Sequence, residues 1–454
     1  MRIVIVGNGK VGSTFANQLS LAGHDVTIVD KRAGALQQSG SNLDIMTVVG
    51  NGATIDTLQG AGVSQADLLI ATTSTDEMNV MVCLLAKKLG TKHTIARVRN
   101  PEFTKEINLL KEELGLSMTI NPELACATEM ARVLRVPSAI KVDSFAKGKV
   151  DILKLRICEK SPLAGLKLQD MRKFKASFLI CAVERGKEVY IPDGAFQLEA
   201  GDRISILAQP KQASAFFKQI GVQTSPVKKV MLIGGGRIAA YLARQMLDFG
   251  AEVKIIEQDR NVCLGLADQL PGAEIICGDA SDHQLLSQEG MEDMDAVAML
   301  TGFDEQNILM SLYAGQISKA KIITKVNRGS YEQIVDGMEI GSVFYPKYIA
   351  AEVVTRYVRA MENSMGSNNV ETLYKIVGDR AEALEFRVTR SCRVCGIPLQ
   401  ELPTRKGILI GSITRGNRAI IPKGQNVIEP GDSVVVVTTI PGLSDLEDIL
   451  EKRR

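Results

Sequence analysis

The sequence repeats itself once along its length, and this duplication restricts the chain to folds built from two similar units. Residues 4–12 read VIVGNGKVG, and residues 231–239 return this pattern as MLIGGGRIA, 227 positions later. Further along, Arg185 recurs as Arg415 at an offset of 230. The chain therefore contains two consecutive units of about 225 residues, each with a larger first part and a smaller second part.

Four domains are predicted from these parts. Their bounds are 1–140 and 227–362 for the larger parts, and 141–222 and 370–454 for the smaller parts. Two polar stretches, residues 223–226 and 363–369, are the candidate linkers, because Ser, Gly, Asn and Pro clusters favour loops.

The larger part of each unit alternates short apolar runs with stretches of helical periodicity. The runs are rich in β-branched residues, which is typical of strands buried on both faces of a parallel sheet. Strand–helix alternation of this kind predicts a doubly wound, Rossmann-like α/β sheet with right-handed crossovers. The predicted strands of the first unit are residues 3–6, 26–29, 46–49, 68–71, 95–98 and 118–120.

Each smaller part shows an Arg-Gly turn and a later Gly-Asp turn that precedes a β-rich run. This pattern predicts small α/β domains of about 75 residues. The β-rich runs are residues 203–207 and 433–437, and short amphipathic helices are predicted near residues 211–220 and 443–450.

A glycine-rich turn follows the first strand and opens the first helix. Gly7 permits the tight turn, Gly9 lets the backbone approach a pyrophosphate, and Gly12 lets the helix pack on the strand. The N-terminus of the helix then offers free N–H groups to phosphate oxygens. The motif predicts a dinucleotide site.

Asp30 ends the second predicted strand, 18 residues after Gly12. A carboxylate at this position accepts hydrogen bonds from ribose hydroxyls and repels a 2′-phosphate. NAD(H) is therefore favoured over NADP(H), although Lys31 and Arg32 follow directly.

The second unit carries Gly234, Gly236 and Ala239, with Glu257 a further 18 residues on. Alanine is accepted at the third position of this motif. The pattern fits a second nucleotide site, and a degenerate or differently tuned site remains the alternative.

Neither unit offers a candidate catalytic residue. A dehydrogenase needs an acid–base group beside the nicotinamide. The three histidines, His24, His93 and His283, have no matching positions in the two units. We therefore predict no catalytic residue and no enzyme activity.

Composition excludes other classes of partner. The chain has 54 Lys and Arg against 52 Asp and Glu, which gives no electrostatic reason to bind nucleic acid. It has no apolar run of about 18 residues, so no membrane span is expected. Cys392 and Cys395 lack the further nearby ligands of a zinc site, so we predict reduced thiols and no metal.

Over its whole length the chain resembles the potassium-transport regulators with KTN domains, also called RCK domains. The resemblance is carried by the first glycine motif with Asp30, the Gly-Asn-Gly-Ala turn at residues 50–53, the ATTSTDEMN segment at residues 71–79, and Arg97. The turn departs from the usual Gly-Asp-Ala-Thr of the family, whereas Gly-Asp-Ala-Ser at residues 278–281 fits it.

This resemblance implies a cytoplasmic protein on the inner face of the cell membrane, assembled as a homotetramer beneath a membrane-embedded potassium channel or transporter subunit. Its ligands would be NAD(H) and, as in some family members, ATP or ADP. An NAD-dependent oxidoreductase and a stand-alone nucleotide sensor for another transporter are the alternative interpretations.

The motifs and the resemblance together define the candidate nucleotide-binding residues, which fall into one set per unit. In the first unit they are Gly7, Asn8, Gly9, Lys10, Val11, Gly12, Asp30, Lys31, Asn51, Gly52, Thr72, Thr73 and Arg97. In the second unit they are Gly234, Gly235, Gly236, Arg237, Ile238, Ala239, Glu257, Asp279, Ala280, Leu300 and Thr301.

Overall fold

The computed structural model describes most of the 454 residues. The residues outside the description are 41–43, 110, 112, 136–140, 146–148, 222–226, 336–337, 339, 365–369, 377–379, 389–391, 417, 441 and 452–454. The candidate linker 223–226 and residues 365–369 of the second linker therefore lie outside the described residues.

The first larger part forms a parallel sheet of six strands in the order β3-β2-β1-β4-β5-β6. The strands are β1 Arg2–Val6, β2 Asp25–Asp30, β3 Ile45–Val49, β4 Leu68–Ala71, β5 His93–Arg97 and β6 Met118–Ile120. The helices are α1 Lys10–Leu21, α2 Ala33–Gly40, α3 Ile55–Gly60, α4 Asp76–Lys88, α5 Pro101–Leu109 and α6 Pro122–Arg135. All six predicted strands are present, which confirms the doubly wound fold.

The second larger part repeats this sheet in the order β14-β13-β12-β15-β16-β17. Its strands are β12 Lys229–Ile233, β13 Glu252–Glu257, β14 Ala273–Cys277, β15 Ala296–Met299, β16 Lys321–Lys325 and β17 Ser342–Phe344. Its helices are α8 Arg237–Asp248, α9 Arg260–Gln269, α10 His283–Gln288, α11 Asp304–Ile317, α12 Glu332–Val335 and α13 Pro346–Ser364.

The smaller parts are two sheets of five strands with the same topology, in the orders β10-β9-β11-β8-β7 and β18-β19-β22-β20-β21. The first contains β7 Lys141–Phe145, β8 Val150–Arg156, β9 Phe178–Arg185, β10 Glu188–Tyr190, β11 Arg203–Ala208 and the helix α7 Pro210–Gln219. The second contains β18 Val370–Lys375, β19 Glu382–Arg387, β20 Ile408–Arg415, β21 Arg418–Ile420 and β22 Ser433–Thr438. The predicted β-rich runs are β11 and β22.

One predicted helix is wrong. The segment 443–450 contains a single 3₁₀ turn, Leu446–Ile449, in place of an amphipathic α-helix. Asp445 caps this turn by accepting a hydrogen bond from the Glu447 N–H at 2.9 Å. The chain leaves the turn at once because Leu450 pairs with Thr404 in a β-bridge.

The four parts associate in like pairs. One compact unit comprises Met1–Ala131 and Lys229–Thr355, and therefore joins the two Rossmann-like sheets. The other comprises Arg132–Lys228 and Arg356–Arg454, and joins the two smaller sheets. The predicted domain bounds in sequence stay a prediction.

The unit of smaller sheets has a core that both repeats share. Phe145, Ile152 and Leu207 of the first repeat pack with Ala383 and Val435 of the second. Within the part of the chain that the structure describes, no helix combines the length and the apolar character needed to cross a membrane.

Candidate nucleotide-binding sites

The glycine loop of the first Rossmann-like domain is packed so tightly that two of its glycines are required by the protein itself. Gly7 has φ of 103°, and a Cβ built on it would lie 2.7 Å from the carbonyl oxygen of Thr72. A Cβ on Gly12 would lie 1.9 Å from the carbonyl oxygen of Gly7. These glycines hold α1 against the carboxyl end of β1, as the motif predicts.

Gly9 is different, because a Cβ built on it would meet no heavy atom within 4 Å. Gly9 is the N-cap of α1 and provides no side-chain cap, so the first turn keeps N–H groups for an external acceptor. The backbone at Gly9 is therefore accessible to a ligand. A phosphate group is the acceptor that such a helix N-terminus favours.

Asp30, at the carboxyl end of β2, is 8% exposed and has both oxygens hydrogen-bonded. Oδ2 accepts from the Asn8 N–H at 2.8 Å, and Oδ1 accepts from the Arg32 N–H at 2.9 Å and from Arg32 Nε at 3.2 Å. Burial raises the pKa of Asp30, but the hydrogen bonds from Arg32 and Asn8 outweigh it and lower the pKa below its usual value. The charged carboxylate retains lone pairs for ribose hydroxyls.

The Arg32 pairing sharpens the prediction of cofactor choice. The Asp30 carboxylate offsets the charge of the Arg32 guanidinium, the cation nearest to it, and so reduces the attraction of this edge for a 2′-phosphate. We expect the first site to bind NADH at least about tenfold more tightly than NADPH, and Asp30→Asn to erase most of that difference.

Competition of NADPH against NADH checks this expectation. Asp25→Asn, an exposed carboxylate at the other end of β2, is the matched control and should keep the preference. If NADPH competes as well as NADH against the unaltered chain, the role given to Asp30 is wrong.

Thr72 and Thr73 follow β4 and support the glycine loop from its other side. Thr72 Oγ1 donates to the carbonyl oxygen of Gly7 at 2.9 Å. The Thr73 N–H and hydroxyl both donate to Asn79 Oδ1, at 2.6 and 2.8 Å, and Asn79 Nδ2 donates to the Arg97 carbonyl at 2.8 Å. These bonds fix the loop after β4 to the end of β5.

Arg97 ends β5 and has an unused donor. Its Nη2 donates to the Thr73 carbonyl, whereas its buried Nε has no hydrogen-bond partner among the described residues. Burial lowers the pKa of Arg97, and the nearby Arg99 guanidinium lowers it further. A buried guanidinium with a free N–H donor is suited to bind an anion such as a phosphate.

The turn after β3 also depends on a glycine. A Cβ on Gly52 would lie 2.2 Å from Val6 Cγ1, so a larger residue would collide with β1. Asn51 Oδ1 accepts from the Ala53 N–H at 3.1 Å, and Asp279 Oδ1 accepts from the Ser281 N–H at 2.8 Å. Asn51 therefore closes its turn in the same way as Asp279 closes the equivalent turn of the second domain.

The second glycine loop reproduces the first. Gly234 has φ of 96°, and Gly236, the N-cap of α8, has open space where a Cβ would stand. Glu257 accepts from the Gly235 N–H at 2.6 Å and from the Asp259 N–H at 2.8 Å. Ala239 is fully buried at the third position of the motif.

A cleft of about 280 Å³ lies at this loop. It brings together most of the predicted residues of the second unit. The lining residues that were predicted are Gly234, Gly235, Gly236, Glu257, Asp279, Ala280, Leu300 and Thr301. Those that were not predicted as site residues are Ile233, Ile256, Gln258, Gly278, Gly302, Phe303, Gln306 and Lys325.

Lys325 could have been found from the duplication, because it occupies the place of Arg97. Its Nζ donates to the Leu300 carbonyl at 3.1 Å, and its side chain is only 9% exposed. Burial lowers the pKa of Lys325. Nothing in the sequence indicated Phe303 or Gln306.

The remaining candidates lie around the loops. Lys10 and Lys31 are exposed to solvent, Val11 is half-buried and Ile238 is buried. The structure does not bring Arg237 to the lining of the second cleft. Arg237 Nη1 lies 3.9 Å from Glu123 Oε1 of the first domain.

Arg237 belongs to a contact between the two Rossmann-like domains. On the same helix, α8, the Tyr241 hydroxyl donates to the Arg99 carbonyl at 3.2 Å and accepts from Asn121 Nδ2 at 3.0 Å. The helix that begins at the second glycine loop is thus bonded to the segments that follow β5 and β6 in the first domain.

Known protein families match this architecture domain by domain. The TrkA-N domain model matches residues 3–122 and 230–346, and the TrkA-C domain model matches residues 152–221 and 383–451. Trk system potassium uptake protein TrkA homolog 1 of Methanosarcina mazei is 34% identical over 455 residues, covering 98% of this chain and 99% of that protein. TrkA of Haemophilus influenzae is 30% identical over 457 residues, covering 99% and 97%.

Among solved structures, a GsuK channel bound to NAD matches with a TM-score of 0.61 and 19% identity, over 96% of this chain and 76% of that chain. At this identity the likeness concerns the fold. The family models cover both kinds of domain in both repeats, and the relatives match over nearly their full length. The chain therefore belongs to the TrkA family.

Proposed function

We propose that the protein is a nucleotide-binding regulatory subunit of a potassium uptake system, and that it gates a membrane-embedded potassium subunit of the TrkH or TrkG type in response to NAD(H). The observation that carries this proposal is the pairing of two matched glycine-loop sites in one compact unit. By family likeness it works as a homotetramer at the cytoplasmic face of the membrane.

The contact between the domains supports a regulatory role. A ligand shifts a conformational equilibrium only by its differential affinity for the two states. Because α8 begins at one site and is bonded to the domain that holds the other, a change at the second glycine loop alters contacts of the first domain. ATP or ADP, which share the diphosphate, are further candidate ligands of the same loops.

The rival function, an NAD-dependent oxidoreductase, has less support. His24 precedes β2 and His93 begins β5, so both lie at the strand ends opposite the glycine loops. His283 begins α10 and packs against Tyr313, with ring centroids 4.0 Å apart. We therefore assign the nicotinamide cofactor a signalling role and no hydride transfer.

Potassium flux through the reconstituted membrane partner tests the proposal. Flux is measured with and without this protein while NADH, NAD⁺, ATP and ADP are varied, and the NADH is assayed afterwards. We expect flux to depend on the protein and on the nucleotide, and NADH to be recovered intact. Equal flux with and without the protein under every nucleotide contradicts the regulatory role, and steady NADH oxidation favours the enzyme.

A further inference from the structure

The two candidate sites both have a glycine loop and an acidic residue at the end of the second strand. They differ at the residue that precedes α4 in the first domain and α11 in the second. In the first domain this residue is Thr75, whose hydroxyl accepts from the Met78 N–H at 3.3 Å and so caps α4. In the second domain it is Phe303, and α11 has no side-chain cap. The N-terminus of α11 therefore lacks an interaction that usually stabilises a helix end.

Phe303 is a large apolar residue that is exposed at the candidate site. Its side chain is 66% exposed and lines the cleft of the second site, together with Gln306 and Lys325. An aromatic ring gains hydrophobic and stacking energy only when another surface covers it. Here the surface that can cover it is a ligand in the cleft.

The backbone at Phe303 is held in place. The Asn307 N–H donates to the Phe303 carbonyl at 3.1 Å, and the Phe303 N–H donates to Thr301 Oγ1 at 3.3 Å. Thr301 is in turn bonded to Asn307 Oδ1 through its N–H and its hydroxyl, at 3.0 and 2.7 Å. The ring is therefore carried by a fixed turn, which lowers the cost of using it for binding.

The strand order determines which part of a ligand can reach this ring. β12, which leads into the glycine loop, lies between β13 and β15. Glu257 ends β13 and Phe303 follows β15, so the two lie on opposite sides of the loop. A nucleotide whose ribose bonds Glu257 and whose phosphates lie at Gly236 extends its next group toward Phe303.

We propose that Phe303 stacks on the second base of a dinucleotide and makes the second site selective for NAD(H) over a mononucleotide such as ADP. The inference rests on the nucleotide-binding function proposed above. ADP anchored at Glu257 ends in phosphates beside the glycine loop and presents no second ring. Thr75 gives the first site no ring at this position, so the first site does not share this source of selectivity.

Cys277 provides a readout that is specific to the second site. Its thiol is exposed, its Sγ lies 4.0 Å from the carbonyl of Gln258, and both Gln258 and Gly278 line the cleft. A ligand in the cleft should slow alkylation of Cys277, which mass spectrometry of the full chain can follow. Cys158, exposed in the other compact unit, is the internal control and should not be protected.

The NADH and ADP concentrations that give half-maximal protection of Cys277 are measured for the wild type, Phe303→Ala, Phe303→Thr and Phe303→Tyr. We expect Phe303→Ala to raise the NADH value roughly tenfold and to leave the ADP value unchanged. Phe303→Thr, which restores the residue of the first site and can cap α11, should behave like the alanine variant. Phe303→Tyr keeps the ring and should bind as the wild type does.

Two results overturn the proposal in distinguishable ways. If both ligands protect Cys277 and Phe303→Ala changes the two values equally or changes neither, the second site binds nucleotides without using Phe303. If neither ligand protects Cys277 of the wild-type chain at saturating concentration, nucleotide binding at the second site is itself wrong.

Discussion

Replacing Gly9 by alanine is expected to weaken NADH binding at the first site roughly 100-fold while leaving the fold intact. The added methyl group would meet no protein atom within 4 Å, so the chain accommodates it. In the complex it would occupy the space of the pyrophosphate and push the phosphates away from the N–H groups of α1. Steric crowding and the lost hydrogen bonds together should cost about 3 kcal/mol of binding free energy. This cost corresponds to a roughly 100-fold higher Kd for NADH.

Calorimetric titration of NADH measures the effect, and two substitutions serve as controls. Gly60→Ala also enters open space at an ordinary backbone conformation, in α3, and should bind NADH as the wild type does. Gly236→Ala should remove the second site and spare the first. Wild-type affinity in the Gly9→Ala chain would show that the pyrophosphate does not lie at this loop.

Gly7 and Gly12 are unsuitable for the same experiment, and the reason lies in the packing. Alanine at either position would collide with the protein backbone itself, and at Gly7 it would also force a left-handed conformation. Loss of binding in those variants would report damage to the fold. At Gly9 the protein itself leaves room for a methyl group, so we expect a requirement for glycine there to come from the ligand.

Much of the fold was accessible from the sequence because local patterns determine it. The alternation of apolar strands and amphipathic helices gave all six strands of the first sheet, and the glycine spacing located the turn between β1 and α1. Asp30 could be placed because a residue at the end of β2 must lie at the same sheet edge as that turn. The repeat then carried these assignments to the second unit.

Other features depend on contacts between distant segments, which periodicity does not encode. One such feature is the association of like domains across the repeats. Another is the hydrogen bond from Tyr241 to Arg99, which joins residues 142 positions apart. The side chain of Arg237 lies near Glu123 of the first domain, a contact that the glycine motif does not encode, and the nucleotide-binding role of Arg237 stays a prediction. Phe303 breaks the repeat, so comparison of the two units alone could not assign it a role.

Removing nucleotide binding from both sites is expected to have the largest effect on the regulation of potassium flux. A chain carrying both Gly9→Ala and Gly236→Ala should still support potassium flux through the membrane partner, but that flux should no longer change with nucleotide. Both loops would keep their protein contacts, because neither methyl group meets a protein atom. Only the ligand, and with it the differential affinity that shifts the equilibrium, would be lost.

Flux at zero and saturating NADH compares the double variant with each single variant and with Gly60→Ala. If the two sites act through α8, each single variant should retain a reduced response, because Tyr241 and Arg237 connect that helix to the first domain. A full response in the double variant would mean that nucleotide binding at these loops is not the switch. A response lost in Gly236→Ala alone would assign the switch to the second site, where Phe303 lines the cleft and the first turn of α8 touches the neighbouring domain.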